Sequence, residues 1–488
     1  MSRTLVIDPV TRIEGHGKVT VELDDNNRVQ DARLHVIEFR GFERFIQGHP
    51  YWEAPMLLQR ICGICFVSHH LCGAKALDDM VGVGLKDGIP MLPTVEKVRR
   101  LGHYAQQLQS HVSAYFYLIA PEMVFGIEAA PEKRSAIGLA EVNPDLVKRV
   151  VDLRRWGQEL IAAVLGKKMH GISSIPGGVN NNFSTEKRDR FLKGEENLLS
   201  IDQVIDYAQD ALNVFYGYHE KEKKLIDNFG VTNALDMCLV DDNGNVDYFH
   251  GKMRVMDSEK NVILDCDYHD YLDHFSERTE PWSYMKFPYL KDRGPQEGSV
   301  RVGPLARVNI TNKYETPLAQ KALERFKDYT KGKVNDKVLH TNWARAIEIL
   351  HSAEQIKALL VDPDLQGEDI CYELSDSKWT GEGVGVVEAP RGTLLHHYRA
   401  DQSGKMTYAN LIVATTQNNM AMNRTVKALA NEWLDGKSEI TEGMMNAIEV
   451  GIRAYDPCLS CATHAVGQMP LQVQVVNSRG KVLSERFR

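Results

Sequence analysis

Two pairs of cysteines carry the most specific chemical signal in this chain. Cys62 and Cys65 lie in "RICGIC", Cys458 and Cys461 in "DPCLSCATH", and both pairs have the spacing C-x2-C. That spacing lets two soft thiolates share one metal, and two such pairs supply four ligands. A zinc ribbon is the ordinary reading of paired C-x2-C motifs, but its pairs lie about 15–20 residues apart. Here Cys65 and Cys458 bracket almost the whole sequence. A site assembled from both chain ends depends on the entire fold, which suits a buried reaction centre better than a stapled loop.

The surroundings of the cysteines add further candidates. "DPVTRIEGH" contains Glu14, "FRGFE" contains Glu43, and "CFVSHH" places His69 four residues after Cys65. "EAPRGTLLHHY" presents Arg391 on a turn punctuated by Pro and Gly. "LIVATTQNN" contains Leu411 and Thr415, and Asp456 and His464 flank the second cysteine pair. Singly, each is more often structural, because buried polar groups are generally hydrogen-bonded for the sake of the fold. For Glu14 the structural alternative is a partner in Arg12 or a backbone amide. For Arg391 it is hydrogen bonding to carbonyls or to Asp456.

The remaining cysteines, Cys72, Cys238, Cys266 and Cys371, share no short spacing and read as small buried hydrophobes. A length of 488 residues allows a large core and by itself corresponds to about three domains. With 43% hydrophobic and 25% charged residues, the composition is that of a soluble globular protein. The net charge of −8, with no basic block, argues against a nucleic-acid partner. No apolar run is long enough to span a bilayer, and "MSRTLVIDPVTRIEGHG" lacks the apolar core of a signal peptide. The expectation is a cytoplasmic protein without a membrane span.

The elements that must position these residues are mostly helices. "TVEKVRRLGHYAQQLQSHVSAYFYLIAP" reads as a long helix capped by Thr94 and ending before Pro121. Asn143 with Pro144, and Ser200 with Gln203, mark two further helix starts. "TNWARAIEILHSAEQIKALLV" and "ITEGMMNAIEVGIRAY" add two more. About residues 18–37, alternation on both sides of "DDNN" predicts a β-hairpin. Residues 239–307 read as an irregular α/β insertion. The expected fold is mainly α with smaller α+β parts: a central long-helix bundle with peripheral strands. With no repeat or linker in view, residues 1–464 form a single unit. The extension 465–488 alternates and turns through "NSRG", as a terminal hairpin does.

Together these motifs resemble the large, catalytic subunit of [NiFe] hydrogenases, over essentially the full length and most closely the soluble NAD-reducing type. The resemblance implies that Cys62 and Cys458 bind nickel terminally while Cys65 and Cys461 bridge nickel to an iron carrying CO and cyanide. The substrate is then H2, split heterolytically into a hydride and a proton. Glu14 would be the first proton relay from Cys458, and Arg391 would stand over the open metal site. Thr415 matches a position that hydrogen-bonds an iron cyanide, and His69 one that donates to Cys65. Glu43, His464 and the Leu411 carbonyl match ligands of a separate magnesium ion. An imidazole is unconventional for Mg2+, so that assignment rests on the resemblance alone. The resemblance also implies nickel-insertion factors, and a protease that cleaves between His464 and Ala465 after loading.

The chain lacks ferredoxin-type cysteine spacing for conducting electrons. The resemblance supplies a small iron–sulfur subunit, docked near "MHGISSIPGGVNNN", although that stretch equally reads as an ordinary turn. "GEGVGVVEAPRG" is glycine-rich but lacks the dinucleotide-binding spacing. NAD and FMN would belong to diaphorase subunits. An H2-sensing regulatory relative is an alternative; sensors of this family usually lack the extension, so residues 465–488 argue for an enzyme. Quinone-reducing relatives have lost the thiolates that this chain keeps. A hydrogenase with another acceptor remains open at this point.

Overall fold

The computed structural model describes residues 3–84, 88–373, 378–464, 472–477 and 482–487. Four long helices form its centre: Pro93–Ser113, Pro144–Leu165, Ile201–Ile226 and His340–Val361. In Pro93–Ser113 the buried Val95, Val98, Leu101, Ala105, Leu108 and Val112 recur at helical spacing and make one apolar stripe. Each Val or Leu of that stripe contributes roughly 1.5–3 kcal/mol by leaving water. The Asn143 side chain accepts from Leu146 N ahead of Pro144, and Ser200 and Gln203 close a reciprocal capping box. The apolar faces meet in one large core.

Two details of the first long helix depart from the sequence expectation. Pro93, not Thr94, opens the first turn, behind an extended Leu92. Helical structure also runs on through Pro121 in Ala120–Phe125. A regular α-helix would press the Pro121 ring against the Tyr117 carbonyl. The chain instead widens to a π-helix over Ala114–Ile119, with Ala120 N reaching Tyr115 O. A carbonyl of this wide turn, Leu118 O, accepts Arg12 Nη1 at 3.0 Å. The irregularity thereby anchors the N-terminal segment that carries Glu14.

Smaller sheets surround the bundle. Arg3–Ile7, Gly17–Leu23 and Val29–Val36 form an antiparallel sheet whose inner residues join the main core. From Leu235 to Arg301 lie a four-stranded mixed sheet and the antiparallel ribbon Phe275–Glu280 with Ser283–Leu290. A third sheet, Glu382–Ala389, Gly392–Ala400 and Met406–Ile412, packs against the buried Phe66–Met80 helix. Gly383 and Gly385 make that packing possible, because a Cβ on either would collide with the Ala76 or Cys72 carbonyl. Two of the three glycines of "GEGVGV" therefore serve helix-on-sheet contact. The architecture is mainly α with smaller α+β parts. Among the described residues, no helix is long and apolar enough to cross a membrane. Beyond His464, Gln472–Val476 pairs antiparallel with Val482–Phe487.

Candidate metal centre

Cys62 ends the short helical turn Gln59–Ile61 in extended backbone, and Cys65 stands at the head of the Phe66–Met80 helix. The tight return between them lets Ile64 N and Cys65 N donate to Cys62 Sγ at 3.2 and 3.0 Å. At the other chain end, Asp456 takes left-handed backbone (φ 52°) after the Glu442–Ala454 helix. The swing puts Cys458 at the head of the short Leu459–Ala462 helix, which carries Cys461. Cys62 Sγ lies 3.4 Å from Cys458 Sγ, Cys65 Sγ 3.4 Å from Cys461 Sγ, and Cys458 Sγ 2.7 Å from Cys461 Sγ. All four sulfurs fall within 4.8 Å of one another, and all four residues are buried and free of disulfides.

Burial pushes the Cys458 and Cys461 thiols well above their ordinary pKa. Cys65 moves the other way: hydrogen bonds from Cys458, Cys461 and Cys62 outweigh burial, and His69 adds to them. One thiolate is thus supported by its neighbours, whereas several together need a cation among them. Four soft sulfur donors fit a soft, redox-active metal such as nickel and are wrong for a hard cation.

Arg391 closes one side of the cluster. Its Nε donates to Asp456 O at 2.6 Å, Nη2 to Asp456 Oδ1 at 3.0 Å, and Nη1 to Ser110 Oγ at 3.4 Å. Burial opposes the guanidinium charge, but Asp456 and, where they are thiolates, Cys458, Cys65 and Cys62 outweigh it and hold the pKa well above the usual range. The structural partner foreseen for Arg391 is therefore present, and it fixes the side chain at the cleft that Cys65 and Cys458 also line. Thr415 Oγ1 accepts from Cys458 N at 3.1 Å, which leaves its hydroxyl proton free to donate elsewhere. Together with Cys65, Ala389, Pro390, Arg391, Val413 and Cys458, Thr415 lines a small, mostly apolar cleft.

His69 belongs to a buried chain of rings. His69 Nδ1 is 3.1 Å from His396 Nε2, and His396 Nδ1 is 2.5 Å from Tyr398 Oη. With Tyr398 as the terminal O–H donor, the protons fall on His396 Nε2 and then on His69 Nε2. His69 Nε2 thereby carries a proton and is buried without a hydrogen-bond partner among the described residues.

Glu14 is held against the second cysteine loop. Its carbonyl accepts from Leu459 N at 3.0 Å and its Oε2 from Ser460 N at 3.1 Å. Gly15 (φ 83°) allows this approach, since a Cβ there would stand 2.8 Å from Ser460 N. Of the two structural partners foreseen for Glu14, the backbone amide is present. Arg12 pairs with Glu122 instead.

Glu43 and His464 also meet: His464 Nδ1 lies 3.2 Å from Glu43 Oε2. Leu411 contributes its N–H, which donates to Glu43 Oε1 at 2.9 Å. Burial raises the Glu43 pKa, but His464, Lys286 and the Leu411 amide together bring it below the ordinary value. His464 Nε2 is buried without a hydrogen-bond partner. Ala465 lies outside the described residues.

Ser110, His396 and Tyr398 escape sequence reasoning because each is an ordinary residue inside a regular element. The "LLHHY" run is the one signal that points to two of them. Of the unpaired cysteines, Cys72, Cys238 and Cys266 are buried as expected, but Cys371 is exposed on an irregular edge beside Gly178. Another convergent group is His219, Asp227 and His340. There Tyr329 Oη donates to Asp227 Oδ2 at 2.6 Å and Asn335 Nδ2 to His340 Nδ1 at 2.6 Å. The His340 proton consequently sits on Nε2, facing Asp227 Oδ1 at 3.1 Å. That cluster ties three helices together and is closed by its own hydrogen bonds.

A family model described as nickel-dependent hydrogenase matches residues 40–143 and 190–464, and one described as HoxL-like matches residues 4–39. The chain belongs to the nickel-dependent hydrogenases. Within that family it is 70% identical over 488 residues to the NAD-reducing hydrogenase HoxS subunit beta of Cupriavidus necator, covering 100% of both chains. The vhc F420-non-reducing hydrogenase of Methanococcus voltae contains a chain that is 39% identical over 96% of each sequence. An NAD+-reducing [NiFe]-hydrogenase solved in the H2-reduced state matches with a TM-score of 0.89 and 44% identity, over 95% of this chain and 99% of that one. The Ni-Fe-Se hydrogenase of D. vulgaris Hildenborough matches with a TM-score of 0.75 and 25% identity, over 95% and 100%.

Proposed function

We propose that this chain is the catalytic subunit of an NAD-reducing [NiFe] hydrogenase that cleaves H2 reversibly. The observation that carries the proposal is the convergence of four buried thiols from opposite chain ends within 4.8 Å, beneath Arg391 and beside the Glu14 segment. Cys62, Cys65, Cys458 and Cys461 would together hold the nickel, with Cys65 and Cys461 also serving an iron that bears CO and cyanide. When bound, that centre supplies a soft, redox-active site at which H2 is polarised and split.

The chain's own residues then manage charge and protons. Cys458 Sγ is the proposed first proton acceptor and Glu14 the next. Ser460 N fixes Glu14 Oε2, leaving Oε1 for the proton. Arg391 brings a fixed positive charge that needs no protonation step, held in place by Asp456. His69 Nε2–H would support the Cys65 thiolate, and the Thr415 hydroxyl would donate into the cleft that the iron's cyanide would enter. The Glu43–His464 pair, with the unpartnered His464 Nε2, supports a magnesium site there, with the Leu411 carbonyl as a further ligand.

Electrons would leave through a small iron–sulfur subunit. His170 Nε2 lies 2.9 Å from the Cys62 carbonyl, and Met169 and Ile172 of the same loop are exposed beside it. That loop, with two exposed apolar side chains and in contact with a proposed nickel ligand, favours docking there. Diaphorase subunits with FMN would pass the electrons to NAD, and the complex would work in the cytoplasm. Nickel-insertion factors would load the site before a protease cleaves between His464 and Ala465. The test of the acceptor is H2-dependent NAD+ reduction by the purified complex. Stoichiometric NADH formation supports the proposal. Turnover with artificial dyes alone would leave a hydrogenase with another acceptor, and no turnover would favour an H2 sensor.

A further inference from the structure

Arg391 stands at the second position of the two-residue turn between Glu382–Ala389 and Gly392–Ala400, with Pro390 at the first. Two-residue hairpin turns that match strand twist require positive φ at their first position. Proline holds φ near −65° and cannot adopt it. The turn that aims Arg391 is therefore not one that the hairpin would form unaided, and the structure shows what supports it from outside.

Arg307, on the Pro304–Ile310 helix, is wholly buried (0% exposed). Its Nη1 donates to Ala389 O at 3.0 Å and its Nη2 to Pro390 O at 3.0 Å, gripping the two carbonyls that precede Arg391. Its other donors go to carboxylates: Nε and Nη2 to Glu348 at 2.6 and 2.7 Å, and Nη1 to Glu388 Oε2 at 2.8 Å. All five guanidinium N–H groups are thereby used. Glu388 is itself pinned, its Oε1 accepting from Thr393 Oγ1 at 2.6 Å and from Leu239 N at 3.0 Å. The helix carrying Arg307 can approach because Gly303 (φ 101°) precedes it; a Cβ there would stand 2.8 Å from Arg391 O.

We propose that Arg307 is a positioning residue for Arg391: locked between Glu348 and Glu388, it sets the Pro390–Arg391 turn from which the guanidinium reaches over the thiolates. This rests on the reading of Arg391 above and adds a residue that touches neither metal nor substrate. A lysine keeps the charge but offers three donors from one atom, and cannot serve two carbonyls and two carboxylates at once.

The test is a double-mutant cycle in the purified complex, with nickel content measured for every variant. Arg307→Lys is expected to keep its nickel and to lower kcat for H2 oxidation about tenfold, while in an Arg391→Lys background it adds less than about twofold. A purely structural residue would multiply its loss onto that of Arg391→Lys. Glu388→Gln, which preserves side-chain volume, takes the place of Arg307→Lys if the lysine variant fails to load metal. Multiplying losses, or an unchanged kcat in a nickel-replete single variant, overturn the role of Arg307. A harmless Arg391→Lys would instead overturn the reading of Arg391.

Discussion

Glu14 and Cys458 form a single parallel β-bridge that joins the two ends of the chain at the metal centre. Its hydrogen bond runs from Leu459 N to Glu14 O at 3.0 Å. The same bridge brings the Glu14 carboxylate to the loop that carries two of the four thiols. Glu14→Gln preserves this backbone contact and removes only the titrating oxygen. The variant is expected to retain its nickel and to lose about 10²–10⁴-fold in H2/D+ exchange, the range of positioned acid–base groups. Exchange at the rate of the unsubstituted enzyme would remove Glu14 from the proton path.

Gly15→Ala tests the bridge itself. At φ 83° a side chain is strained, and its Cβ would stand 2.8 Å from Ser460 N and 2.9 Å from Leu459 Cβ. The expected outcome is loss of the Glu14–Leu459 register and poor nickel incorporation, read by metal analysis of the purified subunit. Full nickel content with normal activity would show that the two loops assemble without that contact.

The chain should also lose stability as the medium is acidified below neutrality. Burial pushes His70, His111 and His340 down to about 4, and His103 and His351 down to about 3. Once unfolded, each takes a proton near pH 6.5. Between these values the unfolded chain binds more protons, so stability present above about 6.5 is lost as pH falls, by up to ~1.4 kcal/mol per pH unit for each histidine. Thermal unfolding of the complex followed from pH 8 to pH 5 should show a flat midpoint above neutrality and a decline below about 6.5. A midpoint that holds or rises from pH 6.5 to pH 5 would contradict the assignment of these histidines as neutral.

Processing after His464 has a direct readout. His464 is buried against Glu43, and its N–H donates to Tyr284 O, whereas Val475, Val482 and Leu483 of the following hairpin face solvent. A buried His464 and exposed apolar side chains at Val475, Val482 and Leu483 favour removal of residues 465–488. Intact mass of the active subunit should correspond to a chain ending at His464. An active, metal-loaded subunit with the mass of all 488 residues would refute cleavage.

Much of this centre is legible in the amino-acid sequence, because thiolate pairs and capped amphipathic helices leave local marks. Asn143, Ser200 and the C-x2-C spacings are signals of that kind. Glu14, Arg391 and Glu43 have no such mark, and their candidacy comes from the resemblance of whole motifs. What the sequence hides depends on contacts across long sequence separations. Arg307 meets Glu388 through one hydrogen bond 81 residues away, and nothing in "PLARVNI" announces it. The π-helix at Ala114–Ile119 is hidden for a different reason. Its sequence has ordinary helical periodicity, and only the need to pass Pro121 and to receive Arg12 widens the turn.

The account stands on the four thiols holding a nickel–iron centre. The most direct measurement is nickel and iron analysis combined with infrared spectroscopy on one active sample of the purified complex. Stoichiometric nickel, with bands of CO and cyanide bound to iron, is the predicted result. An active sample with neither nickel nor those bands would contradict it.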